Sequence, residues 1–326
     1  MGAWAGTPPL MTLTIISRLT QSLAVLLAMS FVVYGLMGLM PGDPIDLMIA
    51  ADPHLSAADA VRLKALYGLD KPWTERWLRW LGQMIQGELG YSRLYARPVA
   101  DAMAPALLNT AILMASSLFL ALAIALPLGI AASLRPGSLL DRLTTLISVA
   151  SVSVPVFWLG LMLIVIFAVK LSWLPAGGMA DVTSEGGGRL AHLILPVTAL
   201  ALAGIGQYAR HMRSAMVNEA SADYIRTARA KGCSPSRIVT RHQLRNAFIP
   251  ITTIVALEFG GLFSGALITE TVFAWPGMGR LIYEAIMGND FNLALSGLLL
   301  ATLMTLAGSI LADLAYWRLD PRVRRS

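Results

Sequence analysis

Long stretches of this chain carry no charge, and they limit its possible folds more than any motif does. A helix needs about 20 apolar residues to cross the roughly 30 Å hydrocarbon core of a bilayer, and runs of that order recur through the sequence. Lipid offers no partner for backbone N–H and C=O groups, so runs that are apolar on every side fold as helices. With 56% hydrophobic and only 13% charged residues, a soluble domain of 326 residues is excluded. The reading is an all-α membrane protein with six transmembrane helices at about 19–40, 104–134, 143–169, 190–210, 247–270 and 291–315. Glu258 interrupts the fifth, and a single acid is tolerable in a helix that packs among others.

Basic residues orient these spans. Arg135 and Arg142 follow the second span, and Arg210, Arg213, Arg226, Arg229, Lys231, Arg237, Arg241 and Arg245 lie between the fourth and fifth. Arg318, Arg322, Arg324 and Arg325 form the tail. By the positive-inside rule these segments are cytosolic, so both termini face the cytosol. The expected organisation is a cytosolic N-terminus (1–18), a six-span domain (19–316) and a basic cytosolic tail (317–326). The domain carries an external cap (41–101), a cytosolic loop (212–246) and an external loop (271–290). The net charge of +6 follows from this bias, and no soluble basic face is left to bind nucleic acid. The first uncharged run is too long for a signal-peptide core and no small-residue cleavage site follows, so a retained span is expected. Cys233 is the only cysteine, which rules out an internal disulfide and a cysteine-based metal site.

The cytosolic loop has the clearest local grammar. Ala222 to Lys231 can form a short helix with Ser221 as N-cap, Asp223 in its first turn and the αL-tolerant Gly232 just past its end. Ser234 offers a second N-cap with Pro235 at the first helical position, so a new helix starts at once and runs into the fifth span. Helix, glycine elbow, helix is the predicted geometry. In the cap, Trp73, Trp77, Trp80, Leu81, Met84 and Ile85 recur at helical spacing. That pattern suits an amphipathic helix with its tryptophans at headgroup depth, or a landing surface for an external partner. PGDP (41–44) and WPGMG (275–279) are rigid turns in either case.

Catalytic constellations are missing. His54, His192, His211 and His242 are scattered, with no HExxH or comparable ligand spacing, so no metal site is expected. None of Lys64, Lys71, Lys170 and Lys231 follows a GxxxxG loop, so this chain has no P-loop with which to hydrolyse ATP. GLFSG (261–265) has its serine one position late for a nucleophile elbow and reads as small-residue helix packing. Glu258 and Asp313 are intramembrane acids, but two isolated acids on different spans fit a proton relay poorly. Lys170 and Glu270 are expected to snorkel at external span ends.

Three blocks in order, YIRTARAKG (224–232), RHQLRNAFIP (241–250) and ETVFAWPGMGRLIYEAI (270–286), resemble the inner-membrane permease subunits of bacterial ABC importers of the dipeptide, oligopeptide and nickel type. LMPGDP (39–44), YGLDKPWTERWLRWLGQMIQGELGYS (67–92), SVPVFWLG (153–160) and LDPRVR (319–324) extend the resemblance over nearly the whole chain. It implies a type I importer permease fold and a multi-pass inner-membrane protein. It also implies a second, homologous permease subunit, two cytosolic ATPase subunits that use ATP and Mg, and a periplasmic substrate-binding protein. No cofactor is expected on this chain, and membrane lipid surrounds it.

In that family the cytosolic loop corresponds to the EAA motif, whose short coupling helix lodges in a groove of the ATPase. The resemblance assigns this role to Tyr224, Arg226, Ala228, Lys231 and Gly232, with the small Ala228 permitting close approach. The sequence departs from the motif in placing Arg226 where the glutamate is expected and Thr227 at the first alanine, so no glutamate contact is carried over. The external loop, with Glu270, Trp275, Pro276 and Gly277, is the candidate contact for the binding protein, and Glu258 is the candidate for the substrate path. The implied activity is ATP-driven import of di- or oligopeptides by alternating access, with nickel chelates or glutathione as alternative cargo. A proton-coupled transporter working alone, and a channel or scaffold subunit that binds partners without transport, are the readings from other classes.

Overall fold

The computed structural model describes residues 8–38, 62, 70–179, 188–261 and 267–319, with side chains described from Ile16 onward except at 257–261, 312 and 315–319. Its helices are α1 (Pro8–Gly38), α2 (Trp73–Ile85), α3 (Val99–Leu134), α4 (Leu139–Ser153), α5 (Val156–Leu163), α6 (Gly188–Ala220), α7 (Asp223–Ala230), α8 (Pro235–Arg237), α9 (Leu244–Gly261), α10 (Leu267–Val272), α11 (Met278–Met287) and α12 (Phe291–Leu319). Wider π-helical turns extend α5 through Ile164–Lys170 and join α8 to α9 through Ile238–Gln243. A two-stranded antiparallel hairpin pairs β1 (Tyr91–Ser92) with β2 (Arg97–Pro98).

Among the described residues, four helices are long and apolar enough to cross a membrane: Ile16–Gly38, Val99–Leu134, Gly188–Ala220 and Phe291–Leu311. The expected third span is not one helix but two, α4 and the extended α5, which meet at 99°. Pro155 is the physical cause. Its ring pushes the preceding Val154 out of the helical region, to φ −94° and ψ 120°, so α4 stops there and α5 restarts after the proline. Counted as one, the bent pair makes a fifth candidate span. The segment expected to form the remaining span falls on α9 and α10, with 262–266, which hold most of the GLFSG run, outside the described residues. The PGDP turn, most of the external cap and the tail from residue 320 also lie outside them.

The described chain divides into two compact units. One comprises residues up to Pro105 together with Leu281–Leu306. Here α2 lays its tryptophans on α1: Phe31 meets the Trp73 and Trp77 rings at 4.7 and 5.3 Å, Tyr34 meets Trp80 at 5.8 Å, and the Trp77 indole N–H donates to Ser30 Oγ. The tryptophan face predicted at headgroup depth is thus used for packing within the chain, and Leu78 and Ile85 stay exposed. The β-hairpin is clasped to the start of α12. Buried Asp290 accepts from Ser92 Oγ at 2.5 Å and from the Leu94 N–H at 2.9 Å, and the Tyr95 hydroxyl donates to Glu284.

The second unit, Ala106–Arg280 with the chain from Ala307 on, holds the helix bundle. Lipid tails are as apolar as leucine, so these helices associate through small residues that let backbones approach. Ala121 and Ala125 of α3 pack on Ala201, Ile205, Tyr208 and Ala209 of α6, while Met212, Ala215 and Met216 of α6 pack on Ala247 and Ile251 of α9. A Cβ at Gly129 would stand 2.5 Å from the Ala209 carbonyl oxygen, so glycine is required at that crossing. Polarity on α4 is inverted relative to a soluble helix. Asp141, Thr144 and Ser148 are buried, and Leu139, Leu146, Val149 and Val152 are exposed.

Candidate functional site

The elbow between α6 and α9 folds as its sequence grammar dictates, with one correction at its start. Ala222, not Ser221, is the N-cap of α7, and it has no side chain to cap with; the Ser221 hydroxyl turns back to the Asn218 carbonyl of α6. The end is a Schellman motif. Gly232 sits at φ +75°, its N–H reaches the Arg229 carbonyl at 3.0 Å, and the Cys233 N–H reaches the Ala228 carbonyl at 3.2 Å. The Ser234 hydroxyl then accepts from the Arg237 N–H and Pro235 opens α8.

This geometry sorts the candidate coupling residues into two faces. Ile225 and Ala228, one turn apart on α7, are buried with Ile238, and Ala222 and Cys233 close the small core. The Ala228 side chain is spent inside the elbow, where a larger one would force α7 off Ile238. Tyr224, Arg226, Lys231 and Gly232 face outward, joined by Arg229, Arg237, Arg241 and Arg245. Arg226 lies 3.6 Å from Asp223 with both side chains mostly in solvent, a pair too exposed to hold either residue in place. The Tyr224 hydroxyl donates to Glu219, which ties α7 to the end of α6. Gln243, buried, donates to the Met216 carbonyl at 2.6 Å and fixes the far side of the elbow to the same helix. The result is a rigid knuckle with an apolar inside and a basic, hydrogen-bond-rich outside.

The turn after α10 has a different character from the one its sequence suggested. Glu270 does not snorkel; it is fully buried, accepting from the Thr110 hydroxyl at 2.7 Å and the Arg280 N–H at 3.0 Å. Thr110 Oγ1 in turn accepts from the Met278 N–H. A carboxylate at the first turn of α11 meets unsatisfied N–H groups and the positive end of the helix dipole, and that arrangement stabilises the buried charge. Gly277 leaves room for it, since a Cβ there would lie 2.3 Å from the carboxylate. The Trp275 indole donates to the Asn109 carbonyl, and the Asn109 amide donates to the Pro276 carbonyl. Of the four candidate contact residues only Pro276 is exposed; Glu270, Trp275 and Gly277 point inward and can bear on a docking partner only through the shape of the turn. Glu258 lies on α9, and its side chain is outside the described set.

Sequence reasoning also missed an ion pair in the bundle. Arg213 of α6 forks onto Asp141 of α4, through Nε to Oδ1 and through Nη2 to Oδ2 at 2.9 Å, and the Gly137 N–H adds a third bond to the carboxylate at 2.8 Å. A lone acid in an otherwise basic loop was the available signal. Among the described residues no cluster of His, Cys, Asp and Glu has the makings of a metal site.

Residues 125–325, which include the elbow and the buried-glutamate turn, match the family described as binding-protein-dependent transport system inner membrane component. The chain is 36% identical over 312 residues to the oligopeptide transport system permease protein AppB of Bacillus subtilis (strain 168), covering 95% of this chain and 98% of that protein. It is 31% identical to the dipeptide transport system permease protein DppB of Escherichia coli (strain K12), with 95% and 98% covered. To the glutathione transport system permease protein GsiC of Escherichia coli O6:H1 (strain CFT073) it is 35% identical, with the same coverage. Among solved structures, an inward-facing MetNI methionine ABC transporter shares the fold at a TM-score of 0.54 and 20% identity, over 66% of this chain and 95% of that one. The bundle, the family match and the near full-length relatives lead to one conclusion: the chain belongs to the inner-membrane components of binding-protein-dependent transport systems, the multi-pass permease subunits of ABC importers.

Proposed function

We propose that this permease moves di- and oligopeptides, with the elbow 223–237 receiving the ATPase and passing its closure to the bundle. The carrying observation is the two-faced elbow: a Schellman-ended helix whose apolar residues are spent inward and whose tyrosine, arginines and lysine remain outside. Such a surface suits an acidic groove on a partner, since guanidinium and ammonium groups donate to carboxylates in charge-assisted bonds. Two cytosolic ATPase subunits supply ATP and Mg chemistry, a second homologous permease completes a heterodimer, and a periplasmic binding protein delivers cargo to the side bearing the turn at 273–277 and the cap. Six spans with both termini in the cytosol place the elbow and that turn on opposite faces of the membrane. Alternating access requires that loaded binding protein and ATP each favour the outward-open state, because a ligand shifts an equilibrium only through its differential affinity. Peptide cargo is supported by the names of the oligopeptide and dipeptide relatives, and glutathione, itself a tripeptide, by a third.

The test is uptake of a labelled peptide mixture, and separately of glutathione, by vesicles holding this chain with its partner permease, ATPases and binding protein. Uptake that needs ATP and the binding protein and survives collapse of the proton gradient is expected. Uptake by this chain alone that vanishes with the gradient would establish the proton-coupled reading instead.

A further inference from the structure

The Asp141–Arg213 pair does not stand alone on its helices. Ser148, seven residues after Asp141 on α4, places its hydroxyl 2.8 Å from the Gly206 carbonyl, sharing its one proton with the Thr144 carbonyl of its own helix, and Gly206 lies seven residues before Arg213 on α6. Two antiparallel helices are therefore tied at matching points two turns apart, about 10 Å by helical rise. At the second tie the backbones nearly touch: a Cβ at Gly206 would lie 2.6 Å from Ser148 Cα. The Asp141 side chain is only 8% exposed and receives three hydrogen bonds, and Arg213 supplies a planar fork that fixes direction as well as distance. Packing this close, with polar ties at both ends, makes the pair slide or rotate as one body.

The position of that body matters. Arg213 lies two turns before the end of α6, directly ahead of the elbow, and α4 runs from Asp141 to the 99° bend at Val154–Pro155. We propose that the Asp141–Arg213 fork, backed by Ser148–Gly206, is a strut that makes α4 and the cytosolic half of α6 one lever, carrying displacement of the elbow to the bend in the third span. Asp141 and Arg213 are positioning residues: they touch neither nucleotide nor cargo. The proposal rests on the elbow being the ATPase contact.

The test uses the whole reconstituted importer and reads the ratio of ATPase activity with binding protein loaded from a peptide mixture to activity without it. Wild type must show stimulation first; if it shows none, the coupling reading itself fails, whatever the strut does. Given a stimulated wild type, Asp141→Asn and Arg213→Gln are expected to assemble, to keep basal activity within about twofold and to lose most of the stimulation, by about tenfold. Arg213→Lys, which keeps the charge and loses the fork, should fall between. A short bismaleimide bridging Asp141→Cys and Arg213→Cys, in a stimulated Cys233→Ser background, should restore the ratio, which a defect in folding alone would not allow. A wild-type ratio in Asp141→Asn and Arg213→Gln overturns the proposal. So does failure of the bridge to restore a lost ratio, or failure of both removals to assemble while Arg213→Lys stimulates normally.

Discussion

At the scale of single residues, the elbow and the buried-glutamate turn make opposite demands. Ala228 is buried against Ile225 and Ile238, so Ala228→Trp overpacks a very small core. Overpacking of this kind costs about 1–3 kcal/mol, and the expected outcome is a lower melting temperature and reduced stimulation of the ATPase by loaded binding protein. Arg226→Glu acts differently. Its side chain is 75% exposed, so the fold and the melting temperature should hold while binding-protein-stimulated ATPase activity falls severalfold. Equal stimulation in Arg226→Glu would remove it from the contact surface. At the turn, Glu270→Ala leaves the buried Thr110 hydroxyl and the part-buried Arg280 N–H without this acceptor. Stranded buried donors cost about 1–3 kcal/mol each, so a drop in melting temperature is expected, and Gly277→Ala, which drives a methyl into the same carboxylate, should reproduce it. The sequence marked Gly232, Ser234 and Pro235 because their backbone roles are local. It misassigned Glu270 because the groups that satisfy it come from Thr110, 160 residues away, and from a helix start that only the folded turn presents.

At the scale of elements, Gly232 sets the angle between α7 and α8. No atom lies within 4 Å of a Cβ built there, so the cost of Gly232→Ala is the left-handed backbone alone. That is about 1–2 kcal/mol, and the elbow should survive with coupling reduced modestly. Gly232→Pro fixes φ near −65° and deletes the N–H that reaches Arg229, so the Schellman motif is lost outright. The bend between α4 and α5 was present in the sequence as a proline inside an apolar run. Hydropathy is blind to direction, so a span counted by length passed straight through it. The inverted polarity of α4 has the same origin: Asp141, Thr144 and Ser148 are buried at helical spacing, and the pattern has meaning only once lipid, not water, is taken as the solvent outside.

At the scale of the whole molecule, orientation and coupling are the properties that make it an importer subunit. The proposed orientation puts the basic loop between α6 and α9 in the cytosol, and the native Cys233 tests it directly, being partly exposed and the only cysteine in the chain. A membrane-impermeant maleimide should label it in inverted vesicles and spare it in intact spheroplasts; labelling in spheroplasts alone would reverse the topology. Glu258→Gln should change peptide uptake while leaving assembly intact if that acid lines the path, and unchanged uptake excludes it. The central claim is that ATPase closure enters this chain through the elbow. Its most direct test is ATPase activity of the reconstituted importer, with and without loaded binding protein, in wild type and Gly232→Pro. Assembly with basal activity kept and stimulation abolished in the variant is the predicted result, and stimulation equal to wild type in an assembled Gly232→Pro complex would contradict it.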